Sequence, residues 1–228
     1  MDHRAAILAR LIEVSTAEPP RHRPDQLGTT CRELLGADGT SITIDNSAMN
    51  RVVLTATDAM AARLEDLQDV LGEGPCHLAY DTAEPVATEL GGTADPRWPE
   101  FSRSALDAVG PMTIRCFPIH PAGRPFGVLS SYVADGRALV EGEPDAQFLA
   151  DALGVTLLRE PPTAEWPDRQ DPWSSRAVVH QATGMIADRL GVPTEDALAL
   201  LRARAYADDQ PLTDVAKYVV ARRLHLGS

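Results

Sequence analysis

Cysteine is scarce in this chain: 228 residues hold three, Cys31, Cys76 and Cys116. An odd, sparse set builds no disulfide framework, and no CxxC pair or His/Cys cluster marks a zinc site. No metal site and no cofactor are expected, and the thiols read as buried, as free cysteines usually are. Long apolar runs are missing too. Nothing approaches the roughly 18 residues a membrane span requires, so no membrane partner is expected. The opening stretch MDHRAAILARLIEV mixes charged with apolar positions and reads as a helix, not a signal peptide, which places the protein in the cytoplasm. Positive charge is short: 21 Lys+Arg against 33 Asp+Glu leave −12. No Ser/His/Asp order, phosphate loop or paired-carboxylate pattern emerges. The expectation is a protein without catalytic residues, and not an enzyme.

The charge is unevenly spread. Residues 173–228 carry seven Lys+Arg and six Asp+Glu, a net of +1, so residues 1–172 carry 14 and 27, a net of −13. A near-neutral module still binds a polyanion when its basic residues share a face, whereas the acidic part would be repelled by one. The change of sign coincides with a change of composition. The stretch EPPTAEWPDRQDPW, 160–173, holds four prolines. Proline removes donors and restricts the residue before it, so neither a helix nor a central strand crosses here. Residues 1–160 are therefore one domain, 161–172 a joint, and 173–228 a second domain.

The first domain mixes elements. Helices are expected at 2–17 and 25–36, the second stopped by Gly36. TSITID (40–45) and RVVLTAT (51–57) alternate apolar with polar, are rich in β-branched residues, and read as a hairpin. Asp58 caps a helix through Met60, Leu64 and Leu67. A strand follows at 84–90 and a helix at 98–110. Strands 112–120 and 124–134, joined by PAG, form a second hairpin, and a helix spans 143–160. Antiparallel hairpins with flanking helices predict an α+β fold, not a parallel βαβ sheet.

The second domain is all helix: about 173–190 with Gly191 as its stop, a helix from Thr194 with Glu195 and Asp196 in its first turn, and LTDVAKYVVARRLHL after the Gln210-Pro211 break. Three short helices bury only a small core, so such a module needs a partner copy or a neighbouring domain.

The motifs HQATGMIADRLGV (180–192), EDALALLRARA (195–205) and PLTDVAKYVV (211–220) resemble the ANTAR family of RNA-binding antitermination domains, in order and spacing. LGEGPCHLAYDTAEPV (71–86) and FPIHPAGRPFGVLSSY (117–132) resemble a GAF domain, the first motif as found in actinobacterial proteins that join GAF to ANTAR. The resemblance implies transcription antitermination: the helical module holds tandem stem-loops of a nascent transcript and so excludes an overlapping terminator hairpin. It implies RNA as partner, a homodimer to read two hairpins, and a GAF sensor that takes an unidentified small-molecule ligand. Many ANTAR members carry lysine where this chain has Thr183.

Specific residues follow. Arg202, Arg204, Tyr206, Lys217, Arg222 and Arg223 are the RNA-binding candidates. Arg202 and Tyr206 share a helix face, and a guanidinium beside an aromatic ring suits looped RNA. The plainer reading pairs Arg202 with a carboxylate and puts Tyr206 in the core. Ala182, Gly184, Ala197, Ala205 and Ala216 are expected at helix-packing points. Gly184 sits mid-helix at a cost of about 1 kcal/mol relative to Ala, which a close approach of another backbone would explain. Gly72, Gly74, Cys76 and Cys116 mark a ligand pocket near the GEGPC turn, where backbone N–H groups can meet an anion; the alternative is a tight turn packing Pro75 and Cys76. A rival reading makes the first domain a thiol sensor or redox enzyme using Cys76, with the helices for dimerisation or partner binding, although no second thiol sits at an obvious spacing. The acidic first domain is also expected to cover the basic helical face and keep RNA away.

Overall fold

The computed structural model describes residues 3–16, 23–45, 51–121, 123–134, 137–159 and 172–223. Residues 161–171 of the Pro-rich joint lie outside the described residues, and its last residue, Pro172, begins a helix. The first domain is built on one five-stranded antiparallel sheet in the order β2-β1-β5-β4-β3, with β1 Gly39–Asp45, β2 Arg51–Ala56, β3 Val86–Leu90, β4 Met112–Ile119 and β5 Gly127–Ala134. Both predicted hairpins form. They are joined by β1 pairing with β5, Gly39 opposite Tyr132 and Ile44 opposite Gly127, which makes β5 the central strand. Asp58 caps the third helix as expected, accepting the N–H groups of Met60 and Ala61 at 2.8 and 2.9 Å.

Strand alternation sorts the side chains into two layers. On one face Ile42, Ile44, Val52, Leu54, Phe117, Ile119, Leu129 and Val133 pack under α1 (His3–Thr16), α2 (Arg23–Leu35) and α6 (Glu143–Arg159). Those helices supply Ile7 and Leu11, Leu27, Cys31 and Leu35, and Leu149, Leu153 and Leu157, each set at steps of four. On the other face Ile114, Cys116, Val128 and Tyr132 meet α3 (Ala59–Leu71), α4 (Pro75–Thr82) and α5 (Pro99–Val109).

The second domain is the three-helix module α7 (Pro172–Leu190), α8 (Thr194–Ala207) and α9 (Leu212–Val220). Gly191 closes α7 with φ +66 and an N–H donated to Ala187 O at 2.9 Å. The core of this module includes one residue of the first domain. Val70 of α3 is buried in the same cluster as Ala182, Ile186, Leu201, Ala205, Leu212 and Val219. The small helical core is thus completed by a neighbouring domain. Among the described residues no helix is long and apolar enough to cross a membrane.

The expected packing points Ala182, Ala197, Ala205 and Ala216 are all fully buried. Gly184 corrects the reading of its helix: it is exposed, and a Cβ added there would meet nothing within 4 Å. The close face of α7 is carried by its neighbours, Ala182 and Thr183. Thr183 is buried, its hydroxyl donating to Val179 O at 2.8 Å.

Candidate nucleic-acid interface and the buried thiol cluster

The second domain is seated on α3 through α8 and α9, while α7 lies beside β2. Four relationships hold the seat. Val70 enters the helical core. Arg63 of α3 forms an ion pair with Asp209, beyond the end of α8. Ser104 Oγ of α5 lies 3.3 Å from Tyr206 Oη. Arg202 covers Gly72, where a built Cβ would stand 2.9 Å from Nη1. Gly72 ends α3 in the left-handed conformation at φ +68, so both its φ and its neighbour favour glycine. Beside these contacts an open cleft of about 560 Å³ is lined by Asp66, Ser104, Asp107, Tyr206, Asp209 and Gln210.

Of the six RNA candidates, Arg202 and Tyr206 do share a face, and that face meets the first domain; Tyr206 is 49% exposed at the cleft and does not fill the core, which corrects the plainer reading of it. Arg204 is exposed and pairs with Asp208 at 2.6 Å; Lys217 pairs with Asp214 at 2.9 Å. Arg222 and Arg223 are exposed just past α9. The expectation of acid covering base needs correction at the Arg63 pair, where the first domain supplies the cation and the second the carboxylate. The like charge of Asp214 reaches Asp66 of α3. Burial first, then Asp69, raises the Asp66 carboxyl to about 6, with Arg63 opposing and Glu65 and Asp214 adding to the rise.

A second constellation lies inside the first domain, between α3 and the sheet. Glu65 of α3, 2% exposed, accepts Ser41 Oγ at 2.6 Å, Thr43 Oγ1 at 3.3 Å and Arg51 Nη2 at 2.5 Å. One helical turn on, Gln68 accepts the Cys76 N–H at 2.8 Å through Oε1 and donates to Cys76 Sγ at 3.1 Å through Nε2. Cys76 Sγ lies 2.8 Å from Ser130 Oγ and 3.3 Å from Cys116 Sγ. Burial, and next Cys76 itself, pushes the Cys116 thiol well above its ordinary range. His77 points elsewhere, as adjacent helix positions must: its Nε2 is 3.0 Å from Gln68 O and 3.5 Å from Arg51 Nη1. Burial first, then the Arg51 charge, lowers His77 to about 4.

The four pocket residues divide. Cys76 and Cys116 meet, which supplies the second thiol that spacing did not reveal. Gly74 is pressed against Gln68, a Cβ there standing 2.6 Å from Cγ, and Gly72 faces the other domain. A space of about 10 Å³, room for one water-sized molecule, lies between α3 and the sheet, lined by Ser41, Glu65, Gln68, Ser130 and Tyr132 among others; neither thiol lines it. The expected anion nest is occupied from within, because the Cys76 N–H is taken by Gln68. Sequence reasoning missed Arg51, Glu65, Gln68 and Ser130. A glutamate and a glutamine on the inner face of an amphipathic helix, in phase with Ala61 and Leu64, were the available signal.

Residues 170–220 match the family model described as the ANTAR domain. No curated protein matches the chain. Among solved structures, the GAF domain of a phosphoenolpyruvate-protein phosphotransferase from Coxiella burnetii is 20% identical with a TM-score of 0.50, over 69% of this chain and 94% of that one. The Nlh2 GAF domain of A. aeolicus in an inactive state is 14% identical with a TM-score of 0.46, over 69% and 98%. A free methionine-R-sulfoxide reductase from Neisseria meningitidis, solved with its substrate, is 15% identical with a TM-score of 0.43, over 68% and 88%. At these identities the likeness concerns the fold alone, and in that respect the sheet with helices on both faces is a GAF fold. The chain thus carries a domain of GAF fold followed by a segment, residues 170–220, that matches the ANTAR domain model.

Proposed function

We propose that this chain is an RNA-binding transcription antitermination regulator, and that the docked arrangement is its resting form. ANTAR helices hold tandem stem-loops of a nascent transcript; the GAF domain controls whether they are free to do so. The observation that carries the reading is the seat of α8: two of the residues best suited to looped RNA, Arg202 and Tyr206, face α3 and α5 of the first domain. A transcript and α3 compete for one surface, and a signal acts by unequal affinity for the docked and released states. No catalytic step is required of either domain.

A two-hairpin RNA suits a two-fold reader, and the molecule offers a surface for pairing. Leu8 and Ile12 of α1, one turn apart, are 42% and 55% exposed; Val155 and Leu158 of the adjacent α6 are 42% and 57% exposed. Exposed apolar side chains on two helices that pack together are covered well by a second copy of the chain.

The test is RNA binding by the full chain with the dock broken. Val70→Asp puts a charge in the helical core seat. The wild-type chain is expected to bind a tandem-hairpin RNA weakly, and the variant at least about tenfold more tightly, with affinity falling steeply with salt. Absence of any preference for tandem hairpins over a scrambled RNA, in both proteins, would reject the reading. The isolated 173–228 fragment is the poorer reagent, since it leaves Val70 behind.

A further inference from the structure

Three buried cysteines occupy two very different settings. Cys31 is 0% exposed in the apolar layer under α1 and α6, and burial alone pushes its thiol up to about 12. Cys76 and Cys116, equally buried, stand sulfur to sulfur at 3.3 Å inside a polar cluster. A disulfide needs about 2.05 Å, so the pair must close by roughly 1.2 Å. Cys76 sits at the second position of α4, after Pro75. Its sulfur has Gln68 Nε2 as a donor at 3.1 Å, Ser130 Oγ at 2.8 Å, and Glu65 Oε1 at 3.6 Å on the acceptor side. A structural thiol in a hydrophobic layer has none of these.

We propose that Cys76 and Cys116 are an oxidisable dithiol that hydrogen peroxide converts to an intramolecular disulfide, with Cys76 attacking and Cys116 resolving. Full burial of both sulfurs selects the oxidant by size: hydrogen peroxide is little larger than water, whereas a low-molecular-weight disulfide is too large to reach them. The Cys76 proton passes to Glu65 Oε1, and the sulfur attacks one peroxide oxygen. The O–O bond breaks, and the departing hydroxide takes the proton from Glu65 and leaves as water. Cys76 is then a sulfenic acid. The Cys116 sulfur attacks the Cys76 sulfur, the S–O bond breaks, and the hydroxyl leaves as a second water with the Cys116 proton. Two thiols lose two electrons, and one peroxide becomes two waters. The contacts that Cys76 alone makes supply the reason for the order: Gln68 Nε2 donates to its sulfur and Glu65 Oε1 stands ready for its proton, so Cys76 reacts first and Cys116 delivers its proton to the leaving group.

The experiment is mass spectrometry of the reduced full chain after hydrogen peroxide, quenching, denaturation and alkylation. One alkylated thiol, at Cys31, is expected, with a Cys76–Cys116 crosslinked peptide that dithiothreitol reverses. The pair should be consumed at least about ten times faster than Cys31. Three alkylated thiols after peroxide, or crosslinks through Cys31 or between chains, would overturn the proposal. The order is tested with dimedone, which labels sulfenic acids. Cys116→Ser should take the label at Cys76, and Cys76→Ser should take none at Cys116. A label on Cys116 would reverse the assignment of the attacking thiol.

Discussion

The guanidinium of Arg202 in the ANTAR domain lies on the backbone of Gly72 in the GAF domain, at the point where α3 ends in the left-handed conformation. Any side chain at position 72 meets that guanidinium and strains the backbone at once. Gly72→Ala should therefore loosen the dock. An L residue held at positive φ costs about 1–2 kcal/mol. The expected outcome is a several-fold rise in affinity for tandem-hairpin RNA. Gly110→Ala is the control: φ is +80 there, and a Cβ would meet nothing within 4 Å. It should lose similar stability and leave RNA affinity unchanged. Equal effects of the two on RNA affinity would show that strain, not the Arg202 contact, is being read.

Two groups near the dock titrate in opposite senses. Asp66 has its folded value raised to about 6, by burial first, and is faced by Asp69, Arg63 and Glu65 on its own helix and Asp214 on α9. Its favourable contribution is complete below the unfolded carboxyl value near 3.8 and is lost as pH rises to about 6. His77 has its folded value lowered to about 4, by burial and then by Arg51, with Gln68 O and Asp69 opposing and Arg202 adding. Its contribution is present above the unfolded value near 6.5 and is lost as pH falls towards about 4. Between these limits the two slopes oppose each other. In urea unfolding across pH 4.5–7 (range of about two units set by these shifts), Asp66→Asn should make stability rise more steeply with pH than in the wild type. His77→Gln should make it rise less steeply or fall. The changes should be on the order of 1–2 kcal/mol. Parallel curves for all three proteins would show that neither group is held as described.

Gly184 stands in open space on the exposed side of α7. A glycine in a helix interior loses about 0.5–1 kcal/mol relative to alanine through backbone entropy. With no neighbour to displace, Gly184→Ala should stabilise the chain by that amount and raise its melting temperature by a few degrees. A fall in melting temperature would mean that another chain approaches this point, and the change should then track protein concentration.

Local signals carried the elements of this molecule. Asp58 and Gly191 mark their helix ends in the sequence, and strand alternation marked both hairpins. The ANTAR motifs located the second domain. What local signals could not supply is pairing at a distance. The union of the hairpins depends on β1 lying along β5, whose buried Ser130 and Ser131 break the alternation that would advertise a central strand. Cys76 and Cys116 are forty residues apart; they meet because Cys116 pairs with Ser130 across β4 and β5 and α4 settles above them. The seat of Arg202 and Tyr206 was equally hidden. Helical spacing put both on one face, but nothing in the spacing said that Arg202 would lie against the end of α3 and Tyr206 beside Ser104 of α5. Gly184 failed for the converse reason: a small residue permits a close approach without requiring one.

The exposed apolar side chains on α1 and α6 give the last prediction. Leu158 is 57% exposed and Ile12 55%, on helices that pack against each other at the edge of the first domain. Burying two such side chains is worth about 1.5–3 kcal/mol each, and in a two-fold interface each counts twice. Leu158→Glu would bring two carboxylates towards one another across the axis without disturbing the core, because the buried side of α6 is carried by Leu149, Leu153 and Leu157. Light scattering should therefore report a dimer for the wild type and a monomer for Leu158→Glu, with the melting temperature of the monomeric variant no longer rising with protein concentration. A tandem-hairpin RNA should then lose the avidity of two linked readers, on the order of 10²-fold, while a single hairpin binds as before. A wild-type chain that is monomeric at all concentrations would leave α1 and α6 without a partner copy and confine the two-hairpin reading to one ANTAR module.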